Sequence, residues 1–162
     1  MQDIEAIVSQ EPEGKRLELR LWLRLLSCNN IISAHIRKRL REEFKFTLPR
    51  FDVLAQLQRS PEGLRLGELS ERMMVTGGNL TGIVEALAAD GYIRREQLPS
   101  DRRSVMVRLS KSGEKTFARM AQAHEKWLKE LFSGMTSEEI SSMMRELDTL
   151  KKSIRPARKN AS

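Results

Sequence analysis

Apolar residues recur at every third or fourth position along most of this chain, which predicts helices. Between Tyr92 and Leu109 they alternate instead, which predicts strands. From about Gly14 to Glu43 no proline interrupts the helical pattern, and two apolar stripes share one helix. Leu17, Leu21, Cys28, Ile32 and His35 follow the first; Trp22, Leu25, Leu26, Ile36 and Leu40 follow the second. A helix apolar on two sides is expected to be buried on two sides, as at a subunit interface. After the connector Phe44-Lys45-Phe46, Thr47-Leu48-Pro49 opens a second helix with proline tolerated in its first turn. That helix is expected to bury Phe51, Leu54 and Leu57 and to stop before Ser60-Pro61-Glu62-Gly63.

Leu64-Arg65-Leu66 can pair as a minimal strand. Two short amphipathic helices then meet at a tight turn, the first burying Leu69 and Met73, the second Leu80, Ile83, Val84 and Leu87. Val75 is placed to plug the junction and Thr76 to cap the second helix. Gly91, after Asp90, can take the left-handed helix stop. Tyr92–Gln97 and Ser104–Leu109 read as the two strands of a hairpin, with Val105, Val107 and Leu109 on one face and a polar loop, Leu98–Arg103, between them. Ser110 is expected to cap a further helix whose buried side is Phe117, Met120, His124, Trp127, Leu128, Leu131 and Met135. Thr136-Ser137-Glu138-Glu139 is a capping box. The last helix carries Ile140, Met143, Met144, Leu147, Leu150 and Ile154 on one face, close to a seven-residue repeat.

A helix-turn-helix followed by a basic-tipped hairpin is a winged helix. The flanking helices are too long and too apolar to serve that lobe alone, so the expected fold is mainly α with a small β-wing: a winged helix-turn-helix lobe plus a helical dimerisation frame. The expected division is an N-terminal arm at 1–13, a dimerisation helix at 14–46, the winged lobe at 47–110, C-terminal dimerisation helices at 111–155 and a basic tail at 156–162.

Composition changes this picture in three places. With 40% apolar and 31% charged residues the chain has the make-up of an ordinary globular protein. It has no apolar run near the roughly 18 residues of a membrane span. An acidic N-terminus unlike a signal peptide and a single cysteine, Cys28, suit a soluble cytoplasmic protein without an internal disulfide framework. The net charge of +7 says little about partners, because residues 61–110 hold seven arginines against seven acids, while the end from Lys151 to Ser162 alone carries five cations. What matters is where the arginines sit.

Met74-Val75-Thr76-Gly77-Gly78-Asn79-Leu80-Thr81, Leu87, Asp90-Gly91-Tyr92-Ile93-Arg94-Arg95, Asp101-Arg102-Arg103-Ser104 and Leu109-Ser110-Lys111-Ser112-Gly113, in that order, resemble the MarR family of bacterial transcription regulators. The resemblance extends over nearly the whole chain and implies a homodimer that reads double-stranded DNA. The second helix of a helix-turn-helix enters the major groove with its N-terminal residues at base edges. That makes Thr76, Asn79 and Thr81 the candidate readers, with Gly77, Gly78 and Gly82 keeping the surface low. Asn79 suits adenine, and threonine methyls suit thymine methyls. Arg102 and Arg103 at the wing tip suit a narrow minor groove. By the resemblance Arg103 is the inserting residue; Asp101, which DNA would repel, is assigned to orienting an arginine or tightening the loop. Arg65, Arg72, Arg94 and Arg95 are candidate phosphate contacts. Two recognition helices about 34 Å apart match successive major grooves, so an inverted repeat is the expected site.

The resemblance further implies a small-molecule effector, an anionic aromatic compound or its coenzyme A thioester, which releases a repressor of a catabolic or stress operon. Trp22, Arg24, His35, Arg39, Phe46, Arg50 and Phe51 supply aromatic surface and cations for it. Plain core and interface roles explain several of the same residues. Cys28 offers a peroxide-sensing alternative, although its place on an apolar stripe favours a buried, inert thiol. A winged helix used only for protein contact is the rival of another class; it needs neither paired wing-tip arginines nor a low, polar helix start. No catalytic constellation, metal-ligand spacing or cofactor loop stands out, so no enzyme, metal or cofactor is expected.

Overall fold

A computed structural model describes residues 16–73, 77–98 and 101–154, with Gly77, Leu98 and residues 101–104 described by backbone alone. The expectations that Val75 plugs the junction and Thr76 caps the following helix lie outside the described residues. The order is α1 (Leu17–Phe44), α2 (Leu48–Gln58), β1 (Leu64–Arg65), α3 (Leu66–Met73), α4 (Gly77–Ala89), β2 (Ile93–Leu98), β3 (Asp101–Leu109), α5 (Lys111–Leu131) and α6 (Ser137–Ile154). The chain divides into two compact units, Met1–Glu125 and Lys126–Ser162.

In the first unit the core is built from the expected faces. Phe51, Val53, Leu54 and Leu57 of α2, Leu69 of α3, and Leu80, Val84 and Leu87 of α4 are buried, with Leu64, Ile93 and Val107 closing the sheet side. Pro49 sits in the first turn of α2, where its missing N–H costs nothing. Gly91 ends α4 at φ +75°, and Tyr92 N–H returns to the carbonyl of Leu87 at 2.9 Å, satisfying a carbonyl the helix leaves open. Tyr92 is thereby drawn into the turn, so β2 begins one residue later than the alternation suggests. The sheet order is β1-β3-β2, antiparallel throughout, with Leu64 opposite Val107 and Ile93 opposite Leu109. Leu66 opens α3 rather than extending β1.

Two expectations are corrected. Leu98 and Asp101 to Arg103, expected in a loop, lie in the strands instead: β2 runs to Leu98 and β3 starts at Asp101, with Leu98 opposite Asp101 and a register shift after Gln97; the two residues between them lie outside the described residues. A solvent-facing ribbon needs backbone pairing but no apolar face, so polar side chains do not end it. Cys28 is exposed rather than buried, because only Ile36 and Leu40 of α1 are buried in the single chain.

Ser110 caps α5 as expected: its Oγ accepts from Gly113 N–H at 3.0 Å and donates to the Gly91 carbonyl at 2.6 Å. The second unit contains the end of α5 and all of α6. Here the capping box forms, Glu139 N–H donating to Thr136 Oγ1 at 3.2 Å and Thr136 N–H to Glu139 Oε2 at 2.8 Å. The apolar face of α6 is on one side as expected, but Met143, Met144 and Ile154 lie open to solvent.

Candidate nucleic-acid interface

The candidate reader is α4, and its two faces separate cleanly. Leu80, Val84 and Leu87 point into the core while Gly78, Asn79, Gly82, Glu85 and Ala86 are exposed; at 100° per residue these sets occupy opposite sides of the helix. A Cβ added at Gly78 or Gly82 would meet nothing within 4 Å. The glycines are therefore not required by packing inside the chain, and they leave the exposed face nearly flat around Asn79. Thr81 is half-buried at the edge of that face. Thr76 lies outside the described residues, and Gly77 is the first residue of α4.

The single charge on α4 is Glu85, and Arg95 of β2 approaches it at 3.8 Å. Arg94, the neighbour of Arg95 on the opposite face of the strand, is exposed. Arg108 Nε lies 3.9 Å from Glu96. Arg72 donates to Ser60 Oγ at 3.0 Å, which ties the end of α3 to the turn after α2. The Arg65 N–H donates to Glu68 Oε2 at 2.8 Å, leaving the side chain of Arg65 exposed. Asp101, Arg102 and Arg103 fall on the first residues of β3, and their side chains lie outside the described set.

The candidate effector residues are not brought together within one chain. Trp22 and Arg24 lie in the first part of α1, and Trp22 is 58% exposed; at 1.5 Å per residue they stand roughly 30 Å along the helix from its end at Phe44. His35 is half-buried, its Nε2 enclosed without a hydrogen-bond partner among the described residues. Arg39 pairs with Glu43 at 2.7 Å. Phe51 packs in the core against Phe117 and His124, with ring centroids 5.4 and 5.2 Å away. Burial there holds His124 below the ordinary imidazole range. Phe46 and Arg50 do meet. The Arg50 guanidinium lies 4.6 Å over the Phe46 ring and 5.9 Å from that of Tyr92, and it is ion-paired to Asp90. Neither Asp90 nor Tyr92 stands out as a partner of Arg50 from sequence, since the pairing spans 40 positions.

A helix with a flat, solvent-facing N-terminal half, seated on a second short helix and flanked by a two-stranded ribbon, defines a winged-helix protein. The chain belongs to the MarR family, whose profile matches residues 46–105. An uncharacterized HTH-type transcriptional regulator of Bacillus cereus is 30% identical over 129 residues, which cover 80% of this chain and 84% of that one. The transcriptional activatory protein BadR of Rhodopseudomonas palustris is 31% identical over 120 residues, covering 72% of this chain and 68% of that protein. In fold the chain is similar to Sco3205, a MarR family transcriptional regulator from Streptomyces coelicolor in complex with DNA, with a TM-score of 0.75 at 23% identity over 93% of this chain and 96% of that one. It is thus a transcriptional regulator of a DNA-binding, non-enzymatic family. Among the described residues, no helix is long and apolar enough to cross a membrane.

Proposed function

We propose that the chain acts as a homodimer that reads an inverted repeat through α4 and the wing, represses by occupying that site, and is released by an anionic aromatic ligand or its coenzyme A thioester. The observation that carries the DNA reading is the open face of α4, where Gly78 and Gly82 have free space around them and flank the exposed Asn79. Flatness is what close approach to base edges requires, and an exposed glycine otherwise costs a helix about 1 kcal/mol against alanine. Asn79 reads adenine, Arg103 enters the minor groove, and Arg94 and Arg65 hold phosphates. In support of the dimer stand the solvent-facing Leu17, Leu21, Trp22 and Ile31 of α1 and, on the other unit, Met143, Met144 and Ile154 of α6; large apolar side chains exposed in groups on a helix are what a partner subunit would cover. For the ligand, the support is the cluster of one cation against two aromatic rings at Arg50, Phe46 and Tyr92.

The test is binding to duplex DNA from the region upstream of the chain's own gene, with salt titrated and with Asn79→Ala and Arg103→Ala alongside wild type. Tight binding to an inverted repeat, lost by about fivefold or more in both variants, is the expected outcome, since one good base contact is worth about 1–3 kcal/mol. Equal affinity for scrambled DNA, indifferent to both variants, would leave the protein-contact reading in its place. Benzoate-like acids and their thioesters, added to the preformed complex, are expected to release it. Because a relative is a transcriptional activatory protein, a reporter fused to the bound promoter decides between repression and activation.

A further inference from the structure

We infer that Arg50 and Asp90 form a clamp that sets the pose of the recognition helix, so that Arg50 is a positioning residue for DNA reading without touching DNA. The inference rests on α4 being that helix. Both charges sit where their own helices disfavour them. Arg50 is the third residue of α2, whose first turn contains no acid, and a cation there meets the positive end of the helix dipole. Asp90 directly follows Ala89, the last residue of α4, and an anion there meets the negative end. Neither placement is favoured by its own helix dipole. Their benefit is mutual, because the two side chains are ion-paired across 40 positions.

The arginine end of this pair has contacts of its own. Its guanidinium lies over Phe46 at 4.6 Å and near Tyr92 at 5.9 Å, Phe46 is buried, and the two rings meet nearly edge-on at 5.6 Å and 76°. Arg50 side-chain exposure is 20% against 49% for Asp90, so the cation is the more enclosed partner and the anion reaches it from the more open side. The carboxylate therefore pulls the C-terminal end of α4 to a fixed point on α2. A helix of 13 residues is about 20 Å long, so a tilt of about 5° at the clamped end displaces the base-reading end by almost 2 Å. Hydrogen bonds to base edges do not survive a shift of that size.

The probe is the tightest duplex that wild-type protein selects from a randomised library, together with versions whose half-site spacing is lengthened or shortened by one base pair. Arg50→Ala and Asp90→Asn are each expected to weaken binding about tenfold, and the double variant about tenfold as well, because the two residues act as one unit. Arg50→Lys, which keeps the charge, recovers part of the loss. The slope of log affinity against log salt stays at the wild-type value, since no phosphate contact is removed, and the preference for the selected spacing relaxes. Losses that multiply in the double variant, a shallower salt slope, or single variants that bind like wild type would each overturn the clamp. If Arg50→Ala does not fold, Asp90→Asn carries the comparison, for it removes an anion from a helix C-terminus and leaves the core untouched. Asn79→Ala in the same assay separates the levels. If it loses affinity while Arg50 and Asp90 variants do not, the clamp alone fails; if it binds normally, the reading of α4 fails and the clamp with it.

Discussion

Gly113 is the position where one methyl group should do the most damage. It is the third residue of α5 and is buried. A Cβ built there would lie 1.9 Å from the carbonyl oxygen of Tyr92 and 2.9 Å from its carbonyl carbon, where C···O contacts ordinarily stop near 3.3 Å. The Tyr92 peptide cannot simply step aside. Its oxygen accepts from Ser110 N–H at 3.0 Å and its N–H donates to Leu87 at 2.9 Å, while Ser110 Oγ bridges Gly91 and Gly113. Opening a gap of more than 1 Å breaks about two of these bonds, each worth about 1 kcal/mol, and adds overpacking strain of about 1–3 kcal/mol. The better helix propensity of alanine returns about 1 kcal/mol. Gly113→Ala is therefore expected to destabilise the chain by about 3 kcal/mol, which for this length lowers Tm by about 6–12 °C. Urea unfolding followed by circular dichroism, at one fixed protein concentration because association shifts apparent stability, reads the change as a lower midpoint at unchanged slope. A variant as stable as wild type would refute the reasoning, since it would mean that the wing base and the start of α5 are not packed backbone to backbone.

Gly82→Ala should behave oppositely in the two assays that matter: no atom stands within 4 Å of the added methyl, so unfolding is expected to shift up by as much as about 1 kcal/mol, while DNA affinity falls because the methyl stands on the reading face. A variant that is both stabler and fully competent in DNA binding would take Gly82 out of the interface. His124, held below the ordinary imidazole range by burial, is neutral in the fold at a pH where the unfolded chain already binds a proton. Stability should then decline as pH falls through about 6.5 and stop declining below the lowered folded value. Asp52, raised by burial, acts with the opposite sign at lower pH, so the measurement is the difference in urea midpoint between wild type and His124→Gln at pH 7 and pH 5. Identical declines in both proteins would exclude His124 as the cause.

The parts of this fold legible in the sequence are those written in local chemistry. Pro49 in a first turn, Gly91 at a helix stop, Ser110 as a cap and Thr136 with Glu139 as a capping box each need only a few neighbouring residues, and each is where its pattern puts it. The buried side of α4 was legible for the same reason, because Leu80, Val84 and Leu87 repeat with the helix. The hairpin was less so. Its distal sequence, from Glu96 to Ser104, is mostly polar, and alternation cannot mark a strand whose residues are polar at both parities, although Leu98 and Asp101 pair across it. Cys28 misled in the other direction: an apolar stripe says that a face seeks cover, not that the same chain provides it. The clamp at Arg50 was out of reach of pattern reading because its partners, Phe46, Tyr92 and Asp90, come together only when α2 and the end of α4 are packed. One local sign was nonetheless present. A cation opening one helix and an anion closing another are both placed against the dipole, and such charges ask for a distant partner.

Charge placement also separates what α4 does from what surrounds it. The helix carries no cation, and its one acid, Glu85, faces Arg95 at 3.8 Å, so the exposed face presents hydrogen-bonding groups and space rather than net charge. Affinity that depends on salt must then come from elsewhere, because only neutralised phosphates release counterions. Arg94 and Arg65 are exposed on the adjoining strands, and Arg102 and Arg103 lie at the far end of β3. Arg95 stands between the two roles. When it holds Glu85 it screens an acid from the approaching backbone, and if it turned to a phosphate it would leave that acid facing DNA. Under the proposed DNA reading the ion pair serves the interface better intact than broken, so Arg95→Ala is expected to weaken binding by exposing Glu85, and Arg94→Ala to lower the salt slope as the loss of a phosphate contact would.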